Sequence, residues 1–415
     1  IRSEGLTANT KVTFPMTIPG QSKVKLLIDN QVLSIGYPEM WISNGKNTSI
    51  TITYAENLYD ANKQRKNRNV IQGMHIRGLH DTYIVDGGKE RLYKPLWMRA
   101  FRFIELAIET KEEPLIINDY YNIAVSAPVE KKSNFYTSNT LYNQVMDVCW
   151  RTASICLQDN LVSDAYYEQM QYVGDSKVHT ETLIALTGDS LFLKNALVQF
   201  NQSRLPDGNI LSCYPLKATF MHPTFTLIHI DMIYEYMMNF GNKQFIRQFL
   251  PGIFSTLFWF ENHIDSKTGM VGYSNEYLFV DWFKKETQRA KIINSGNAAV
   301  VTLHYAFTLK NLAKIYDYLG MYEESARSLR RADELTKAVN NNCYDPKRKY
   351  FFDDINKTHA DQRPNIMAVL TDAVPKEEQK NLIERILNDT TLDEATYYYR
   401  YYYFLALRKA GAGNM

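Results

Sequence analysis

The chain has 415 residues, more than one ordinary hydrophobic core accommodates, so two domains are expected. Its 47 Lys and Arg against 45 Asp and Glu leave a net charge of +2 with no dense basic block, which argues against nucleic acid as a partner. No run of about 18 apolar residues could span a membrane, and 45% hydrophobic residues are enough for a large soluble core.

Residues 1–130 read as β structure. Ile50, Ile52 and Tyr54 alternate with Thr51 and Thr53, and Ile104, Leu106 and Ile108 alternate with Glu105, Ala107 and Glu109. A two-residue period buries one face of a strand. Turn signals at Pro19-Gly20, Asp29-Asn30, Asn44-Gly45 and Gly87-Gly88 divide the runs, which predicts a β-sandwich domain. The polar stretch Ser126 to Asn139 marks the connection to a second domain, over 135–415, where the period becomes helical.

Leu303, Ala306, Phe307, Leu309, Ala313 and Tyr316 form a helical stripe closed by Gly320. Tyr322 to Asn340 repeats the signal through Ala326, Leu329, Ala332 and Leu335, giving an αα-hairpin. Further pairs trace at 141–158 with 176–187, 189–203 with 225–240, 243–264 with 297–319, and 376–388 with 396–410. Sequential hairpins without a fixed repeat favour an (α/α)6 toroid over a solenoid.

The four cysteines read as core thiols, since Cys149 and Cys156 on one helix lie roughly 10 Å apart along its axis. His222, His229 and His263 have no metal-ligand spacing and read as satisfied histidines, so no metal or cofactor is expected. Gly5-Leu6-Thr7 is no phosphate loop. The richest stretch is Ser163 to Asp175, SDAYYEQMQYVGD, with three carboxylates and three tyrosines at the approach to the second helix. A Glu flanked by Tyr167 and Tyr172 is expected to be partly desolvated, which suits a general acid, while Asp164 and Asp175 suit sugar hydroxyls. Val280-Asp281-Trp282 sets a carboxylate beside a stacking surface, and a solvated Asp next to a core Trp fits the same residues equally well. Asp361-Gln362-Arg363-Pro364-Asn365 reads as a helix cap.

YYEQMQYVGD resembles the signature of bacterial α-L-rhamnosidases, in particular the Bacteroidetes-type branch. Leu26 to Asp29, Gly36 to Pro38, Thr53 to Asp60 and Pro95 to Phe103 resemble that family's preceding β-domain. Phe279 to Trp282, Asn365 to Leu370 and Tyr397 to Gly411 resemble later elements, in the family's order. The resemblance implies a β-sandwich, an (α/α)6 barrel, and inverting exo-hydrolysis of terminal α-L-rhamnosyl residues in a periplasmic or secreted setting. It places the general acid on Glu168, a pocket carboxylate on Asp175 and a loop carboxylate on Asp281, with Tyr167, Tyr172 and Trp282 as the apolar wall.

Two departures stand out. The family's Asp falls on Ser163, with Asp164 one place later, which leaves open another glycosidase on the same barrel or a non-catalytic glycan-binding relative. The family's general base lies in a segment past the helix ending at Gly411, whereas the chain stops at Met415. A ring of six hairpins needs about twelve helices and the period traces about ten, so the toroid is expected to be incomplete at its C-terminus. The 1–415 chain alone is then expected to be nearly inactive, with an apolar seam along Thr137 to Cys156 promoting self-association into a homo-oligomer.

Overall fold

The computed structural model describes residues 2–4, 12–216, 219–283, 293 and 295–415; Gly5-Leu6-Thr7 lies outside them. By packing, residues 1–130 and 135–169 form one compact unit, and 131–134 and 170–415 form the other. An N-terminal antiparallel-sheet unit is thus followed by a helical one.

The sheet unit contains β1 (Arg2–Glu4), β2 (Met16–Ile18), β3 (Lys23–Asn44), β4 (Ser49–Ala55), β5 (Leu58–Tyr59), β6 (His75–Ile76), β7 (Leu79–Ile84), β8 (Arg91–Tyr93), β9 (Arg99–Glu109) and β10 (Leu115–Ala124). Eight of them form one sheet in the order β2-β10-β3-β9-β4-β7, with β1 and β8 also paired to β3; β5 and β6 pair separately. The two alternating runs of the sequence are direct neighbours, with Ile50 opposite Ile108, Ile52 opposite Leu106 and Tyr54 opposite Ile104. All six side chains are buried in one core.

Asp29-Asn30 is not a turn between strands. It begins a bulge inside the 22-residue β3, where the register with β9 shifts between Asp29 and Ser34. Asp29 stabilises the irregularity from both sides: Oδ1 accepts the Gln31 N–H at 2.7 Å, and both carboxylate oxygens accept from Arg102 at 3.0 and 3.2 Å. The bulge lets one strand change course and serve both ends of the sheet.

The first helix, α1 (Thr140–Ile155), groups with the sheet unit, and Ala153 is its only buried residue. Leu141, Tyr142, Val145 and Val148 are exposed. Cys149 is exposed too, contrary to its reading as a core thiol, because α1 buries so narrow a face; Cys156, Cys213 and Cys343 are buried.

The helical unit holds α2 (Val173–Thr187), α3 (Leu191–Gln202), α4 (Pro223–Phe240), α5 (Lys243–Arg247), α6 (Leu250–Asn262), α7 (Ala299–Leu319), α8 (Tyr322–Cys343), α9 (Gln362–Thr371), α10 (Lys376–Asn388) and α11 (Arg400–Lys409). A small hairpin of β11 (Tyr344–Asp345) and β12 (Tyr350–Phe351) precedes α9. Alternate helices pack in succession, α2 on α4, α4 on α7, α7 on α9 and α9 on α11; α3, α8 and α10 close on α4, α7 and α9. The central helices α4, α7 and α9 are buried on most faces, α9 in nine of its 10 residues, whereas α2 and α11 keep exposed or half-buried faces. The covering helices α8 and α10 are amphipathic.

The α7–α8 hairpin turns at Gly320, whose φ of 82° needs a residue without Cβ strain. Its seam differs in part from the expected one. Ala332 and Leu335 are buried as expected, but Ala326 and Leu329 face outward and the small Ser325 and Ser328 are buried in their place. The expected helix over 243–264 is broken into α5 and α6, with Pro251 in the first turn of α6. Among the described residues no helix is long and apolar enough to cross a membrane.

In the sheet unit Arg99 donates to both oxygens of Asp81, at 2.6 and 3.1 Å, and the Tyr93 hydroxyl adds a bond at 3.2 Å. Burial pushes the Asp81 carboxyl up, but Arg99 and the Tyr54 and Tyr93 hydroxyls outweigh it and hold the group below the usual range. The stability this contributes is full above the unfolded value of about 3.9 and is lost as pH falls through the lower folded value. Asp81→Asn should therefore lower the Tm at pH 7, and the loss should shrink as pH falls below the unfolded value; a loss independent of pH would refute the assignment.

Candidate active site

The sequence-predicted site residues divide between the units: Asp164, Tyr167 and Glu168 fall in the first, and Tyr172, Asp175, Asp281 and Trp282 in the second.

In the sheet unit, Asp164 winds residues 163–169 into a tight turn. Its Oδ1 accepts the N–H groups of Tyr166 at 2.9 Å, of Tyr167, and of Glu168 at 3.3 Å, and its backbone oxygen accepts Gln169 N–H at 2.9 Å. The turn is fastened to the sheet by Tyr166, whose buried hydroxyl donates to Tyr54 O at 2.7 Å and accepts Leu79 N–H at 3.0 Å. Trp97 Nε1 donates to Gln169 Oε1 at 2.7 Å, holding a residue whose φ is 50°. That left-handed conformation costs roughly 1–2 kcal/mol and ends the turn after the acid position. Glu168 is exposed, where partial desolvation was expected, and accepts a bond from Ser163 Oγ at 2.8 Å. Ser163, the departure from the family pattern, thus orients the Glu168 side chain.

In the helical unit, Tyr172 and Trp282 end one row of aromatic rings. Tyr172 lies 5.9 Å from Phe220, Phe220 5.7 Å from His222, His222 5.7 Å from Phe279, and Phe279 5.3 Å from Trp282. Burial holds His222 below its usual range, so it stays neutral and bonds Tyr277 O through Nδ1 at 3.0 Å. Trp282 is 61% exposed, which leaves an indole face open. Asp175 stands in the first turn of α2, where the helix dipole favours an anion. Beside it, Gly174 makes room for Tyr398: a Cβ there would lie 2.5 Å from the Tyr398 hydroxyl. Burial, then the charges of Asp175 and Asp281, push that phenol well above its ordinary range, so it remains a proton donor. Tyr398 was not singled out in the sequence; only the tyrosine run before α11 hinted at it.

Asp281 is fully buried. Its Oδ2 accepts from Arg363 Nε at 2.6 Å and Thr396 N–H at 3.1 Å, and Oδ1 from Trp282 N–H at 2.9 Å and the Thr396 hydroxyl. Arg363 also donates to Asp361 at 3.0 and 3.2 Å and to the backbone oxygens of Trp282 and Glu394 at 3.2 and 2.7 Å. Asp361 caps α9 through Arg363 N–H at 2.7 Å, as its position suggested. Asp281 therefore anchors the loop that presents Trp282 and turns neither oxygen toward solvent.

Two further groups escaped the sequence reading. His359 Nε2 lies 3.5 Å from Asp361 and 3.3 Å from Asp393, a spacing that a metal ion would fit, although Arg363 already neutralises Asp361. Lys177, buried in α2, bonds Glu181 at 2.5 Å and faces Glu235 at 3.9 Å. Each cluster is a local pair, His359 with Asp361 or Lys177 with Glu181, completed by a residue from a separate segment, Asp393 or Glu235. His229 and His263 are satisfied by Leu197 O at 3.0 Å and Trp259 O at 2.8 Å, and burial pushes His229 down to about 3.

Arg363→Met should destabilise the helical unit by about 3–5 kcal/mol, because it leaves two carboxylates buried without their cation. Urea unfolding monitored at Trp282 checks this, and a loss below 1 kcal/mol would show that the ion pair is dispensable.

Residues 130–396 match the family model described as bacterial α-L-rhamnosidase 6 hairpin glycosidase domain, and residues 21–121 match the bacterial α-L-rhamnosidase concanavalin-like domain. No curated protein matches the chain in sequence. Among solved structures it is similar to a GH78 family rhamnosidase of Bacillus sp. GL1, with TM-score 0.84 and 20% identity over 98% of this chain and 42% of that one. A rhamnosidase from Klebsiella oxytoca with rhamnose bound has TM-score 0.80 and 15% identity, over 96% of this chain and 77% of that one. The Streptomyces avermitilis α-L-rhamnosidase complexed with L-rhamnose has TM-score 0.67 and 16% identity, over 96% and 38%. The chain thus spans less than half the length of the first and third of these enzymes.

Proposed function

Since the chain belongs to the bacterial α-L-rhamnosidase family, we propose that its protein is a glycoside hydrolase that removes terminal α-L-rhamnosyl residues with inversion, using Glu168 as general acid. The observation that carries this reading is the turn 163–169, which fixes every neighbour of Glu168 and leaves its carboxyl exposed. The string SDAYYEQMQYVGD further supports a place in the Bacteroidetes-type branch.

In this reading Glu168 gives its proton to the leaving oxygen as the glycosidic bond breaks, and a second carboxylate activates water on the opposite face of the sugar. Asp281 and Asp361 are unsuited to that second role, since both are buried against Arg363. Within the helical unit Asp175 accepts bonds from sugar hydroxyls and Tyr172 and Trp282 offer apolar faces for the 6-methyl group; within the sheet unit Asp164 has Oδ2 left for hydroxyls and Tyr167 offers its ring. Ser163 supports a second reading, a glycan-binding relative without turnover, because its hydroxyl occupies an oxygen of Glu168.

Release of rhamnose from an aryl α-L-rhamnoside separates the two readings. Glu168→Gln should retain rhamnose binding and lose roughly 10²- to 10⁴-fold in turnover on a poor leaving group. Turnover within threefold of wild type would exclude Glu168 as the acid. Asp175→Asn should weaken rhamnose binding by about 1.5–3 kcal/mol, the worth of a charge-assisted bond; unchanged affinity by calorimetry would reduce Asp175 to a helix-terminal residue.

A further inference from the structure

The sheet unit contains a cavity of about 390 Å³ lined by Tyr59, Arg77, Gly78, Leu79, Tyr166 and Tyr167. Arg65 stands at its edge, 5.6 Å from the Tyr59 ring and 5.9 Å from the Tyr167 ring, and Arg77 lies 5.8 Å from the Tyr59 ring. Arg65 donates to the hydroxyls of Tyr59, at 3.2 Å, and of Tyr167. Among the described residues no carboxylate forms a salt bridge with either arginine.

The surroundings leave the cavity cationic. Glu56 faces Arg65 and Arg68 from partial burial; that burial, then repulsion from Asp164, raises its carboxyl and weakens it as a counter-ion. The Tyr59 phenol is held below its ordinary range, burial being outweighed by Arg65 and Tyr167. Guanidinium groups offer only donors, in a planar fork that matches a carboxylate, and the tyrosine faces suit the apolar face of a pyranose ring.

The cavity adjoins the acid. Tyr167 lines it and Glu168 is the next residue in the same turn, about 3.8 Å away between Cα atoms. A general acid protonates the oxygen of the departing group, so that group lies on the side of Glu168. We propose that this cavity is the leaving-group subsite and that it takes a uronic acid, with the carboxylate held by Arg65 and Arg77. The inference rests on the reading of Glu168 as the acid and names the class of glycan that reading leaves open: rhamnose linked to an acidic sugar.

The test compares kcat/KM for rhamnosyl-glucuronate with that for its uronate methyl ester, in wild type and in Arg77→Gln. Arg77 is exposed, so the variant should fold. Wild type should favour the acid by about tenfold or more, the worth of one charge-assisted bond, and the variant should bring the ratio near one. Equal kcat/KM for acid and ester in wild type, or a ratio unchanged in the variant, overturns the proposal. A sulfated sugar cleaved as well as the uronate would make this a general anion site and overturn the uronate assignment. Calorimetry with free glucuronate and glucose separates this from the rhamnosidase reading. Glucuronate binding that Arg77→Gln abolishes, in a protein that releases no rhamnose, supports the acidic subsite and sinks the proposed activity. Absence of glucuronate binding in a protein that cleaves aryl rhamnosides does the reverse.

Discussion

The guanidinium of Arg363, enclosed between Asp281 and Asp361, joins three segments that are distant in sequence: the loop carrying Trp282, the start of α9 and the residues before α11. One cation faces two anions here, and burial of the three would be costly without further donors. Those donors are present. Trp282 and Thr396 N–H groups and the Thr396 hydroxyl serve Asp281, and the first turn of α9 serves Asp361. The ring of Phe283 adds a face 4.1 Å from the guanidinium carbon. Such a network contributes more to placement than to net stability: Trp282 is exposed in a fixed position because its neighbour Asp281 is not exposed at all.

The sheet unit solves the same problem without charge. Its 163–169 turn is fastened by the Tyr166 hydroxyl, which serves one acceptor and one donor of the sheet. The approach is close enough to require glycine at 78, where a Cβ would lie 1.8 Å from Tyr54 O and 2.4 Å from the Tyr166 hydroxyl. An ionic anchor in one unit and a neutral one in the other each leave a neighbouring side chain, Trp282 or Glu168, exposed.

Local periodicity made the strands around Ile50 and Ile104 legible, since a two-residue alternation specifies a face without knowledge of the partner. It also made the α7–α8 hairpin legible. The seam of that hairpin was legible only in part, because Ser325 and Ser328 are buried and their polarity pointed outward. The turn at Asp164 was readable as a carboxylate-rich string, but its exposure was not, because the fastening partner Tyr54 lies 112 residues before Tyr166. Asp281 looked like a loop carboxylate for the same reason: Arg363, which buries it, is 82 residues further on. Side chains satisfied by distant partners carry no local mark, and the same holds for Asp393 and Glu235, which complete the local His359–Asp361 and Lys177–Glu181 pairs from far along the chain.

The long strand β3 has a consequence for how the sheet unit comes apart. It pairs with β1, β8, β9 and β10, so most of the backbone ladder of the unit passes through one segment of chain. The bulge near Asp29 redirects the chain without ending it, so both halves of β3 belong to one continuous segment, and among the described residues of the unit only the β4–β7, β4–β9, β2–β10 and β5–β6 strand pairs lie outside it. The strands paired with β3 are therefore expected to open together, with the β3 amides among the slowest of the unit to exchange. The partners of β3 arrive late in sequence, with Asn44 opposite Leu115 and Lys23 opposite Glu109, so the assembly waits on long loop closure. The turn that presents Glu168 is thus fastened, through Tyr166, to a sheet held together by one central strand.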